Sequence, residues 1–96
     1  MVDLDLVLRA VAEGRVVRPH SGYNAPHLLD GQDVSLDVRQ LSRYELIRHR
    51  LSGPPEIEPL GLDLLAEMPP GQRFTIAELP AKYRQDRTWH RNRRRR

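Results

Sequence analysis

The 96-residue chain contains no cysteine. Disulfides and thiolate metal sites are therefore excluded, and nothing in the composition points to an oxidising compartment. Aromatic residues are scarce: one Trp, one Phe and three Tyr. Leu, Val and Ile must then build the core. No apolar run approaches the ~20 residues needed to span a bilayer, so no membrane helix and no membrane partner are expected. The opening Met1-Val2-Asp3-Leu4-Asp5 is acidic, whereas a secretory signal begins with positive charge. A cytoplasmic location is the expectation. Lysine is nearly absent too, with Lys82 the single one and arginine supplying the other cations. The length suits one compact domain, or one domain plus a tail, and is too short for an ordinary enzyme with a cleft between two domains.

The residue present in quantity is arginine, unevenly placed. Residues 1–72 hold 7 Arg against 11 acids, a net of −4. Residues 73–96 hold 8 Arg and Lys82 against 2 acids, a net of +7. Arginine abundance by itself can reflect codon usage; its clustering is the informative part. Charge asymmetry between parts of a chain points to nucleic acid or membrane surfaces as partners.

Hydrophobic spacing predicts the elements. Leu4, Val7, Leu8 and Val11 fall at i, i+3, i+4, i+7, giving an amphipathic helix over 3–13 that opens at Asp3 and closes at Gly14. Arg15-Val16-Val17-Arg18 suits a short strand. Residues 19–33 carry Pro19, Gly22, Asn24, Pro26 and Gly31, which predicts a loop or a weak hairpin turning at Asp30-Gly31, with His27-Leu28-Leu29 as a candidate strand. A second helix is expected over 34–45, with Val34, Val38, Leu41 and Tyr44 on its inner face. Leu46–Leu51 and Glu56–Glu58 read as strands joined by Ser52-Gly53-Pro54-Pro55. Leu60, Leu64, Leu65 and Met68 mark a third helix, stopped by Pro69-Pro70-Gly71. Thr75 and Glu78 form a T-x-x-E capping box, and Pro80 interrupts the helix that this box would open.

This order resembles a winged helix-turn-helix. Val38-Arg39-Gln40-Leu41-Ser42-Arg43-Tyr44-Glu45-Leu46-Ile47 is similar to the end of the recognition helix and the start of the wing in MarR-type regulators, roughly V-x-x-L-x-x-x-G-L-I. Glu56-Ile57-Glu58-Pro59-Leu60-Gly61-Leu62-Asp63-Leu64-Leu65 resembles the closing strand and next helix, L-T-x-x-G-x-x-L-L. Two departures stand out. Tyr44-Glu45 replaces the usual A-G or K-G, and the helix preceding the recognition helix would fall on the Pro- and Gly-rich 19–33. More faintly, Pro69-Pro70-Gly71-Gln72-Arg73-Phe74-Thr75-Ile76-Ala77-Glu78-Leu79, with Arg87-Thr88-Trp89 further on, looks like the start of a GntR-type helix-turn-helix. The resemblance implies a mainly α fold with a small β-hairpin, winged-helix-like over 1–68. A basic segment over 69–96 would complete the chain as a tail or an abbreviated helix-turn-helix.

Candidate contacts come from two places. In the basic segment they are Lys82, Arg84, Arg87, Trp89, His90, Arg91, Arg93, Arg94, Arg95 and Arg96. Clustered guanidinium groups gain affinity by releasing counterions from phosphates, and Trp89 interleaved with them can stack on bases. The blander reading is a solvated tail, or one that pairs with the acidic body. On the second helix the candidates are Ser35, Arg39, Gln40 and Arg43, which would face the major groove in a winged helix. The blander reading there is an ordinary exposed face, with Asp37 and Glu45 diluting its charge. Arg48 and Arg50 face Glu56 and Glu58 across the hairpin, which reads as mutual stabilisation. The four His are scattered and none stands at i, i+4 to a second ligand, so no metal and no cofactor are expected. His20-Ser21 beside Asp30 matches a hydrolase triad only by residue type, and catalysis is not expected. The function expected is DNA binding, as a transcriptional regulator or an accessory factor of a mobile element. The alternatives are a docking or dimerisation module with a protein partner or a second copy, and RNA binding through the Arg-rich tail.

Overall fold

The computed structural model describes residues 3–20, 25–50, 53–69 and 71–85. Three helices and two antiparallel hairpins make a small mixed fold. Helix α1 spans Leu4–Ala12, α2 Ser35–Arg43 and α3 Pro59–Glu67. Strands β1 (Leu28–Leu29) and β2 (Gln32–Asp33) form the first hairpin, and β3 (Ile47–Arg48) and β4 (Glu56–Ile57) the second.

Helix α1 buries the predicted stripe, and Val7 and Leu8 are completely enclosed. Its end is a Schellman motif: Gly14 N–H donates to Val11 C=O at 3.1 Å, and Arg15 N–H to Ala10 C=O at 2.8 Å, with Gly14 at φ +73°. Helix α2 ends in the same way. Glu45 N–H donates to Ser42 C=O at 3.0 Å and Leu46 N–H to Leu41 C=O at 3.1 Å, but Glu45 is the residue at φ +59°. The departure Tyr44-Glu45 thus keeps a glycine's geometry with a side chain that disfavours it.

Residues 25–33 hold a hairpin where a winged helix carries a helix. Leu29 faces Gln32 across a two-residue turn, and both Asp30 (φ +52°) and Gly31 (φ +81°) have positive φ, as a type I′ turn requires. The strand expected at 15–18 shrinks to one bridge, in which Val17 and Leu28 exchange hydrogen bonds of 2.9 and 2.8 Å. Pro19 comes two residues later and has no N–H to extend the pairing.

In the second hairpin Ile47 pairs with Ile57 and Arg48 with Glu56. Helix α3 lies close over its start. A Cβ on Gly61 would collide with the backbone carbonyl of Leu46 and come within 2.8 Å of Ile57 Cδ1, so only glycine fits.

After α3 the described chain forms two 3-10 turns, Ile76–Glu78 and Ala81–Tyr83, with Pro80 between them. The Thr75–Glu78 capping box is present: Glu78 Oε1 accepts from Thr75 N–H at 3.1 Å and from its hydroxyl at 2.8 Å. It opens a single 3-10 turn, so among the described residues the α-helix expected from the box is absent. Phe74, Ile76, Leu79 and Tyr83 join the same core as α1, α2 and α3. Packing therefore runs across the division expected at residue 68, and the basic segment begins as a strap on the body.

Candidate nucleic-acid interface

On α2 the structure separates the predicted contacts into two kinds. Ser35 is committed to the fold. Its Oγ accepts His27 N–H at 2.9 Å, and its own N–H donates to Asp33 Oδ1 at 2.9 Å. Hydrogen bonds from the Ser35 hydroxyl and N–H hold the Asp33 carboxyl below its ordinary value. Arg39, Gln40 and Arg43 are not buried, and they share the outer side of the helix with Leu36, which is 78% exposed. Arg39 makes no hydrogen bond or ion pair with another described residue.

Beside this stripe the fold assembles a group that is scattered in the sequence. The imidazoles of His27 and His49 lie 5.0 Å apart between ring centres, tilted by 53°. His27 is 2% exposed, and its Nε2 has no hydrogen-bond partner. Arg18 is 7% exposed; its Nε donates to Ala25 C=O at 3.2 Å and its Nη1 to Arg50 C=O at 2.6 Å. Burial, reinforced by the charges of Arg18, His49 and Arg39, pushes the His27 pKa down to about 4, with Asp33 opposing weakly. Burial and the same two arginines lower His49. Alternation signals only that each histidine turns inward, not that the two meet. Leu29 and Ile47 are buried, and His27 and His49 each lie two residues away, on the same inward-facing register.

The other cations are mostly matched. Arg48 pairs with Glu58 at 3.0 Å and Arg50 with Glu56 at 2.7 Å, the cross-hairpin compensation expected from the sequence. Arg15 contacts Glu13 and Asp30, each at 3.3 Å, and Arg73 contacts Asp3 at 3.0 Å. In the C-terminal strap Lys82 Nζ sits 2.6 Å from Glu67 Oε1 and 5.0 Å from the centre of the Tyr83 ring. That hydrogen bond raises the Lys82 pKa and lowers the Glu67 pKa. Lys82 therefore fastens the strap to α3. Arg84 is exposed. Arg87, Trp89, His90, Arg91 and Arg93 to Arg96 lie outside the described residues.

Among the described residues, no three His, Asp or Glu side chains converge to hold a metal ion, and no helix is long and apolar enough to cross a membrane. No protein-family model, curated protein or solved structure matches the chain significantly.

Proposed function

We propose that the protein binds duplex DNA without catalysis, as a winged-helix-like regulator or accessory factor. Its Arg-rich C-terminal segment would steer it to phosphates, and the exposed stripe of α2 would meet the duplex. One observation carries this reading. Arg39 projects from α2, next to the second hairpin, without a carboxylate partner among the described residues, while Arg48 and Arg50 on that hairpin are neutralised by glutamates. A solvated helix face in an acidic body would be expected to pair Arg39 as well. Arg43, Gln40 and Leu36 extend the stripe along one side of the helix, and an exposed apolar side chain there suits contact with a thymine methyl or a sugar.

A second reading has its own support. Leu6, Val17, Leu36 and Leu62 are about half or more exposed. Apolar side chains in such number on a small body suit docking to a protein or to a second copy. Salt separates the two readings. Binding of the full chain to random duplex, single-stranded DNA and RNA is measured by fluorescence anisotropy from about 50 to about 200 mM salt. The DNA reading predicts duplex affinity that drops steeply with salt and exceeds affinity for RNA. No duplex binding at the lowest salt, with capture of a protein partner or self-association, would overturn it in favour of docking.

A further inference from the structure

We propose that the outer face of α3 is a docking surface for the chain's own Arg-rich segment, residues 87–96, which leaves it when duplex DNA is bound. The consequence for affinity rests on the duplex-binding reading; the docking itself does not.

Helical spacing builds the face. Pro59, Leu62, Asp63, Ala66 and Glu67 fall at i, i+3, i+4, i+7 and i+8, and all five are exposed, while Gly61 and Leu64 on the opposite side are buried. Leu62 is 52% exposed. Asp63 makes no hydrogen bond or ion pair with another described residue. The helix carries no basic residue. Helices α1 and α2 each have an arginine in the last turn, Arg9 and Arg43, against the negative end of the helix dipole; α3 ends on Glu67 instead. The face thus sets uncompensated negative charge beside an exposed leucine.

The strap brings a cationic segment to this place. Lys82 Nζ meets Glu67 Oε1 at 2.6 Å, and Tyr83 beside it is completely enclosed. These two residues fix the strap at the C-terminal end of α3. Residues 86–96 follow, with six Arg against Asp86, a net of +5, where residues 1–72 hold −4. From Tyr83 to Trp89 is six residues, a reach of up to about 20 Å in extended chain. The whole of α3 rises only about 14 Å. Trp89 can therefore reach Leu62, and Arg87 and Arg91, two residues to either side of it, can reach Asp63 and the negative end of the helix.

Exposed ion pairs of this kind are weak one by one. Tethering makes them count, because a segment joined to its site by a short stretch of chain is present at an effective concentration in the millimolar range. Duplex phosphates must displace the segment from α3, so docking lowers the affinity it would otherwise give.

Trp89 is the single tryptophan, so its emission in the full chain reads the docking without DNA. At about 20 mM salt, where exposed charges are little screened, the emission should be blue-shifted and protected from acrylamide, and about 500 mM salt should remove both effects. Leu62→Ser and Asp63→Asn should remove both already at low salt; these side chains are exposed, so the fold is retained. Asp63→Asn should also bind duplex about threefold more tightly, the scale of one exposed ion pair. Glu13→Gln removes an equal charge just after α1 and should do neither. Equal Trp89 emission and quenching in the unmodified chain and both α3 variants would overturn the docking, as would Glu13→Gln acting like Asp63→Asn. A Trp89 response without duplex binding would support the docking and remove the DNA reading. Salt-dependent duplex binding with an unresponsive Trp89 would keep the DNA reading and overturn the docking.

Discussion

The second hairpin and the histidine cluster beside it are made from neighbouring stretches of chain, yet they handle charge in opposite ways. On the hairpin each arginine has a glutamate within 3.0 Å. In the cluster, burial and the charges of Arg18 and Arg39 hold both imidazoles below their ordinary value, with Asp33 opposing at His27. The arginines of the hairpin are matched by glutamates of the same hairpin. The cluster buries two imidazoles near arginines, which disfavours their protonation, and Arg39 beside it is exposed. Counting basic residues would rank the hairpin and the cluster alike; tracing their partners separates them.

The contrast breaks most visibly in acid. The His27 pKa is about 4 in the fold against an ordinary 6.5, so between these values the unfolded chain binds more protons. Stability should therefore fall as pH drops from about 6.5 to about 4, by about 3 kcal/mol in total from this residue. His49 is shifted in the same direction and adds to the slope. Urea denaturation from pH 7.5 to 4 measures it, and His27→Phe should flatten the curve. An unchanged slope in that variant would place the acid sensitivity elsewhere.

A second break removes the frame of the hairpin. Gly61→Ala places a methyl group against the Leu46 carbonyl and Ile57. A loss of about 1–3 kcal/mol is expected, read as a lower urea midpoint. The two sides of the comparison separate further by binding. Arg39→Ala should weaken duplex affinity about tenfold, the effect of losing roughly one charge-assisted contact. Arg48→Ala and Arg50→Ala should each change it less than about twofold, since exposed ion pairs contribute little. Equal losses at all three positions would erase the distinction.

The smallest effect sharpens the geometry of α2. Glu45→Gly relieves a side chain held at φ +59° and should raise stability by about 0.5–1 kcal/mol. Its counterpart Gly14→Ala at the end of α1 should lower stability by a similar amount.

Much of this fold was legible in residue order. The stripe Leu4, Val7, Leu8, Val11 placed α1, Asp30-Gly31 placed the first hairpin turn, and alternating Arg and Glu placed the ion pairs of the second. Each depends on local spacing or on partners brought together by one short turn. The histidine cluster was not legible in that way. His27 and His49 meet because a hairpin, α2 and a strand fold back on one another, and no local pattern links positions so far apart. The second half of the chain misled for a related reason. The Thr75–Glu78 box promises a helix, but Pro80 comes two residues later and the apolar side chains Ile76, Leu79 and Tyr83 bury against the body as two short turns. Tertiary packing overrode the local signal.

On the proposed reading, arginine contacts with phosphate, led by the C-terminal segment, give the protein its affinity for duplex DNA. This is tested most directly by comparing the salt dependence of duplex binding for the full chain and for a chain ending at residue 86. Removing 87–96 should nearly abolish binding and flatten the slope of log affinity against log salt, since each lost phosphate contact removes about 0.9 from it. Equal affinity and an equal slope in the shortened chain would contradict the claim.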